Sequence, residues 1–344
     1  MTRVTNAALD RAWRCRPAPS DVLDFHRSLP GYAPTRLASL PGLATRSGVA
    51  RVLAKDESNR LGLPAFKALG ASWAIHRALR DRVSAGAVTV VTATDGNHGR
   101  AVARFARRFG HRAAIFVPDG VPAAAVRAIR DEGADVTHIA GNYDDAVRAA
   151  AVHAADDDAA VLVQDMAWDG YEDIPGWIVD GYTTLFAEID EHVQRPDLVL
   201  VPAGVGSLLQ AALSHYRSDD AAPGTVVVSV EPRSAACVLA SVAAGHPVTV
   251  ATGTTLMAGL NCGTVSSLAW PYISRGLDAC VAVDDAEALD AARELAEHGV
   301  DAGPCGAATL AALHRIRADA ARELTPESTV VLLVTEGSAA NPAG

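Results

Sequence analysis

No two cysteines of this chain form a Cys-x-x-Cys pair. Cys15, Cys237, Cys262, Cys280 and Cys305 are scattered, so a zinc site is not expected and no metal ligand is assigned. An odd set of isolated thiols suits a reducing cytoplasm. Positive charge is scarce too. Thirty Lys and Arg stand against 40 Asp and Glu, a net charge of −10. This argues against a nucleic-acid partner, which needs clustered basic side chains. Long uncharged apolar runs are also lacking. The segments near 198–213 and 235–245 carry Gly, Pro, Gln or Ser and read as elements of a globular fold, so no membrane partner is expected. Arg3, Arg11, Arg14 and Arg16 enclose no apolar segment, and no signal peptide is expected. There is no internal repeat.

What is present is the composition of a globular enzyme: 344 residues, 49% hydrophobic and 20% charged, enough for one large or two medium domains. Apolar β-branched runs alternate with helical patterns. Strands are expected at 88–92, 113–117, 135–139 and 160–163, with helices at 100–109, 123–132 and 143–155 between them. That is a compact parallel βαβ unit near 86–185. A long helix, 177–191, leads out of it. Further strands at 198–201, 225–230, 279–283 and 330–334 join one at 49–53. The pattern is α/β in two sub-units, the larger built from both ends of the chain, 1–85 and 186–344. Residues 1–35 read as an irregular arm broken by Pro17, Pro19, Pro30 and Pro34, with a short helix at 20–28. Asp284, with Glu287 three residues on, forms a capping box for a helix at 285–298.

The chain is organised around Lys55-Asp56-Glu57-Ser58-Asn59-Arg60-Leu61-Gly62-Leu63-Pro64-Ala65-Phe66-Lys67. The helical pattern 67–79 follows, and Pro64 suits its first turn. Lys67 then sits at a helix start, where the positive potential disfavours an ammonium. If it is also desolvated, its pKa is expected to fall, making it an amine nucleophile. The plain alternative is a lysine whose stem lies on the surface with its charge in water.

Three strand-to-helix turns carry polar groups where open α/β sheets bind ligands, at the strand carboxyl ends. Gly204-Val205-Gly206-Ser207 offers backbone amides and a hydroxyl to a phosphate, or is an ordinary βα turn. With Glu231 after the next strand it imitates a dinucleotide site, but Leu209 stands where the third glycine belongs. Thr94-Asp95-Gly96-Asn97-His98-Gly99 could hold a carboxylate on its amides. Asp95 there, and Asp165 after Gln164, are candidate proton acceptors, or a helix cap and a turn residue. His98 reads as a packed or hydrogen-bonded helix residue.

Together these segments, with Met257-Ala258-Gly259-Leu260-Asn261-Cys262-Gly263 and Thr335-Glu336-Gly337, resemble the diaminopropionate ammonia-lyases over nearly the whole chain. That family belongs to the β-family, or fold type II, of pyridoxal-phosphate enzymes. The Thr-Asp-Gly-Asn-His-Gly form separates it from the serine and threonine dehydratases. The resemblance implies a tryptophan-synthase-β-like fold with two doubly wound parallel-sheet domains, and pyridoxal 5'-phosphate as cofactor. Lys67 would be the Schiff-base lysine, beside Phe66. Asn97 would contact the ring oxygen, and Gly204, Val205, Gly206 and Ser207 the phosphate. Thr335 would face the pyridine nitrogen, where a neutral partner suits elimination. Asp95 and Asp165 would accept the α-proton, which suits both enantiomers. The backbone of Thr94, Asp95, Gly96 and Asn97 would bind the substrate carboxylate. The implied reaction removes the β-substituent of 2,3-diaminopropionate and releases aminoacrylate, which hydrolyses to pyruvate and ammonia. A homodimer is implied as well.

There are departures from the family pattern. The chain is short at its ends. Pro64 replaces a usual Asn, Trp73 a usual Tyr, and Ser338-Ala339-Ala340-Asn341 an acid followed by Thr-Asp. They bear on the β-substituent, so a β-replacing synthase or a hydroxy-amino-acid dehydratase stays open. So do a cofactor-binding sensory protein without turnover and the nicotinamide reading. Any monovalent-cation requirement is open too. Cys262 and Cys280 would pair only if geometry allows, and a reduced state is the default.

Overall fold

The structure, a computed structural model, describes residues 2–80, 86–318 and 324–340. The joint before Gly86 and Asn341 lie outside the described residues. Two sheets organise the chain. The smaller runs in spatial order Asp135–Ile139, Arg112–Pro118, Thr89–Ala93 and Ala160–Leu162, with every pairing parallel. Val90 and Val91 on its Thr89–Ala93 strand are fully buried, because helices cover both faces of such a sheet. The helices Asn97–Arg108, Ala123–Asp131 and Tyr143–Ala155 connect the strands.

The larger sheet runs Arg3–Thr5, Ala279–Val283, Val226–Pro232, Leu198–Pro202, Thr329–Val334, Arg51–Asp56 and Leu37–Ser39. Its five inner strands are parallel, as expected, but both edges are antiparallel. The arm is therefore less irregular than its prolines suggest. Arg3–Thr5 pairs with Ala279–Val283, and the buried Asn6 amide then donates to the carbonyls of Ile273, Ser274 and Leu277. Among the described residues no helix is long and apolar enough to cross a membrane.

The helix Lys67–Leu79 packs against the helices Asn97–Arg108 and Asp173–Asp190. Two glycines permit its close approach to Asp173–Asp190. A Cβ on Gly70 would lie 2.5 Å from the Tyr182 ring, and one on Gly181 2.6 Å from the Leu69 carbonyl. Pro64 is not in the first turn. The helix starts at Lys67 because the backbone just before it is tied to the residues after the Thr329–Val334 strand. Ala65 bridges Glu336, Phe66 N donates to Thr335 O, and Gly337 N donates to Pro64 O.

The charged stretch before Lys67 is not a solvated surface. Lys55 is 1% exposed, and Glu57, Arg60 and Glu188 are buried with it. Arg60 binds both Glu57 oxygens at 2.7 and 2.8 Å and both Glu188 oxygens at 2.6 and 2.7 Å. Lys55 Nζ pairs with Glu188 as well. Thr35 donates to Glu57 and Tyr32 to Glu188. Each of these four buried charges thus has an opposite partner, which is what permits its burial. The knot ties residues 57–60, the start of the loop that delivers Lys67, to the helix Asp173–Asp190.

Candidate active site

The loops leaving five parallel strands meet in one cleft of about 1330 Å³. Arg51–Asp56 leads to Lys67, Thr89–Ala93 to Asp95 and Asn97, and Ala160–Leu162 to Asp165. Leu198–Pro202 leads to the glycine turn and Thr329–Val334 to Thr335. All the site residues read from the sequence line this cleft: Phe66, Lys67, Thr94, Asp95, Gly96, Asn97, Asp165, Gly204, Val205, Gly206, Ser207 and Thr335. Of the departures, Pro64, Trp73 and Ser338–Ala340 do not line it. Trp73 packs against Phe25 and His76 instead.

Lys67 Nζ donates to Asp165 Oδ2 at 2.8 Å and lies 5.5 Å from the centre of the Phe66 ring. Burial lowers its pKa, but Asp165, Tyr182 and Asp95 together carry it well above the ordinary lysine value. The expected fall is thus reversed. The helix start and desolvation are outweighed by acids that arrive from other strands. The same pairing works on Asp165. Burial pushes its carboxyl up, yet Lys67 and His98 hold it well below the usual range. Asp95 moves the other way, raised by desolvation and by the Asp165 charge. It does not cap the helix behind it, which has no side-chain cap.

Asp165 is braced from behind by residues that sequence reading missed. Gln164 Nε2 donates to the Tyr143 hydroxyl at 2.8 Å and to Asp165 Oδ1 at 3.3 Å. The Gln164 oxygen is itself fixed by Thr92 and by the Ala93 amide. His98 is a hydrogen-bonded helix residue, as read. Its Nε2 donates to Val163 O at 2.8 Å, and burial lowers its pKa. In the Thr94–Asn97 turn two of the four amides are already taken. Thr94 N bonds Phe116 O, and Gly96 N bonds Thr94 Oγ1. The turn thus uses some of its own amides, and Asp95 also has a backbone hydrogen bond to its own carboxyl. Asn97 Nδ2 donates to Glu336, another residue not singled out.

The glycine turn opens the helix Ser207–Tyr216, which has no side-chain cap and no acid in its first turn. Gly206 takes φ +104°, where a side chain would be strained. A Cβ on Gly204 would meet Cys262 Sγ at 2.9 Å. Uncapped amides at a helix start suit a phosphate, and the Lys67 amine reaches the same cleft, so the residues fit pyridoxal phosphate. They do not fit a dinucleotide. Glu231, which would bind a ribose, is buried and accepts from Val238 N and Leu239 N at 2.7 and 2.8 Å. Burial pushes it up to about 8. The five cysteines are free thiols. Cys262 lies at the cleft, its backbone bridged to Ala236. Cys280 is buried in the strand Ala279–Val283.

Residues 29–336 match the family of pyridoxal-phosphate dependent enzymes. The chain is 38% identical over 295 residues to the diaminopropionate ammonia-lyase of Salmonella typhimurium, covering 77% of this chain and 72% of that one. It is 35% identical over 345 residues to the diaminopropionate ammonia-lyase of Escherichia coli K12, covering 91% and 86%. Its fold matches a crystal structure of the Escherichia coli enzyme in complex with an aminoacrylate–PLP azomethine reaction intermediate. The TM-score is 0.90 at 32% identity, over 98% of this chain and 94% of that one. The family match takes in every strand end that opens on the cleft, and the chain belongs to the diaminopropionate ammonia-lyase family of the pyridoxal-phosphate dependent enzymes.

Proposed function

We propose that this chain converts 2,3-diaminopropionate and water to pyruvate and two ammonia molecules by pyridoxal-phosphate-dependent α,β-elimination. The observation that carries the mechanism is the Lys67–Asp165 contact of 2.8 Å, with Asp95 in the same cleft. Bound through Lys67, the cofactor supplies the electron sink for the carbon that loses its proton. The Gly204–Ser207 amides would hold its phosphate, Asn97 would contact its ring oxygen and Thr335 its pyridine nitrogen, with Phe66 also lining the cleft. The backbone of Thr94, Asp95, Gly96 and Asn97 would orient the substrate carboxylate.

Two carboxyl groups with pKa values pushed apart have different roles at neutral pH. Asp165, held low by the Lys67 ammonium whenever that amine is free of the cofactor, is then ionised and able to accept an α-proton. Asp95, held high, is the stronger base once ionised and a proton donor when not. Their different positions in the cleft support one acceptor for each enantiomer. Pyruvate and ammonia release from separate D and L substrates tests this. Asp165→Asn is expected to slow one enantiomer about 10²- to 10⁴-fold and largely spare the other, with Asp95→Asn reversed. Equal slowing of both enantiomers by both variants would remove the assignment. No pyruvate from the wild type would remove the function, and a new amino acid formed with added thiol would redirect it to β-replacement.

The protein is further proposed to act in the cytoplasm as a homodimer, by analogy with its family. Sedimentation at about the monomer mass of 35.6 kDa would refute the dimer.

A further inference from the structure

Glu336 follows Thr335 at the carboxyl end of the strand Thr329–Val334 and is 3% exposed. Its Oε1 accepts from the Cys305 amide at 3.3 Å, and burial and the neighbouring Glu336 carboxylate push the Cys305 thiol's pKa well up. Cys305 lies in the first turn of the helix Pro304–Ala318, which has no acid of its own there. The positive end of that helix favours an ionised carboxylate. The other oxygen, Oε2, accepts from Asn97 Nδ2 at 3.0 Å. An ionised carboxylate only accepts hydrogen bonds. It therefore admits one orientation of the Asn97 amide, since the flipped amide would set its oxygen against the carboxylate.

We propose that Glu336 is a positioning residue: it locks the Asn97 amide so that the second Nδ2 hydrogen points into the cleft, toward the cofactor's ring oxygen. This rests on the cofactor reading above. The bond also joins the two sides of the cleft, because Asn97 opens a helix of the smaller sheet and Glu336 closes a strand of the larger one. Without it the amide is free to turn its oxygen toward a ring oxygen that carries negative charge, and the two repel.

The experiment titrates the apoprotein with pyridoxal 5'-phosphate and follows visible absorbance across pH. Glu336→Ala is expected to weaken cofactor binding about 10-fold, as for a lost charge-assisted hydrogen bond, and to move the band's maximum and pH midpoint. Glu336→Gln keeps an accepting oxygen and should stay within about 3-fold of wild type. Asn97→Ala should resemble Glu336→Ala, and the double variant should be no weaker than Asn97→Ala alone, because the two act through one contact. Glu336→Met, closer in volume, serves the same cycle where the alanine variant does not fold. Multiplying effects in the double variant, or a Glu336→Ala titration and band equal to wild type, would overturn the proposal alone. A wild type that forms no visible band would overturn the cofactor reading and this proposal with it.

Discussion

Lys67→Ala is expected to lower diaminopropionate turnover by at least about 10³-fold and to abolish the visible band formed with pyridoxal phosphate. The size of the effect follows from the composition. The chain has only two lysines, Lys55 and Lys67. Lys55 is buried and paired with Glu188, so no second lysine amine is available in the cleft. Arginine cannot replace it, since a guanidinium stays protonated. Lys67→Arg, which keeps a cation near Asp165, should therefore be as inactive as Lys67→Ala. The alanine variant carries a further change. Without the ammonium, Asp165 loses the main attraction that holds its pKa low while its burial remains. Its carboxyl should therefore rise. Borohydride reduction with cofactor followed by mass spectrometry checks the assignment. The added mass should map to Lys67 in the wild type and vanish in both variants. Residual turnover above about a tenth of wild type, or a retained adduct, would assign the covalent role elsewhere.

Much of this site was legible because its parts are local. Each strand-to-helix turn brings its own polar residues to a strand end, and parallel sheets gather those ends on one side. The helix beginning at Lys67, the strand Asp135–Ile139 and the helix Tyr143–Ala155 match their expected bounds. What sequence reading missed depends on contacts far apart in the chain. Arg3–Thr5 and Leu37–Ser39 are three-residue strands whose only signal is an edge that they reach across the fold. Glu336 looks like one letter of a turn until Asn97, 239 positions away, is seen to bond it. Tyr143 reads as the first residue of a helix, and its place behind Asp165 comes from the neighbouring strand's Gln164. The pKa of Lys67 went wrong for the same reason. The helix start is visible in the sequence; the carboxylate 98 positions on, which outweighs it, is not.

Glu188→Ala is expected to destabilise the fold by about 3–5 kcal/mol, the usual effect of removing one partner from a buried ion pair. Glu188 is the anion shared by Lys55 and Arg60, so its loss weakens the pairing of two buried positive charges. Glu57 still neutralises part of Arg60, but among the described residues Lys55 Nζ keeps only the Thr35 carbonyl. The pH dependence has a definite sign. Burial raises the Glu188 pKa, but Arg60 and Lys55 outweigh it and hold the folded value at about 2, below the ordinary glutamate value near 4.3. A group with a depressed folded pKa stabilises above its unfolded value and loses that contribution as pH falls through the folded one. Wild-type stability from urea unfolding should therefore drop as pH falls from about 4.3 toward 2, on top of what other carboxylates contribute. Glu188→Gln, which has nothing to titrate, should start less stable at pH 7 and lose less over that window. Parallel curves for the two proteins would mean that Glu188 is not the anion holding the knot. Because Arg60 sits in the loop that ends at Lys67, the same variants should also lower the fraction of protein that binds cofactor at a given temperature. That links a charge cluster outside the cleft to the placement of the lysine within it.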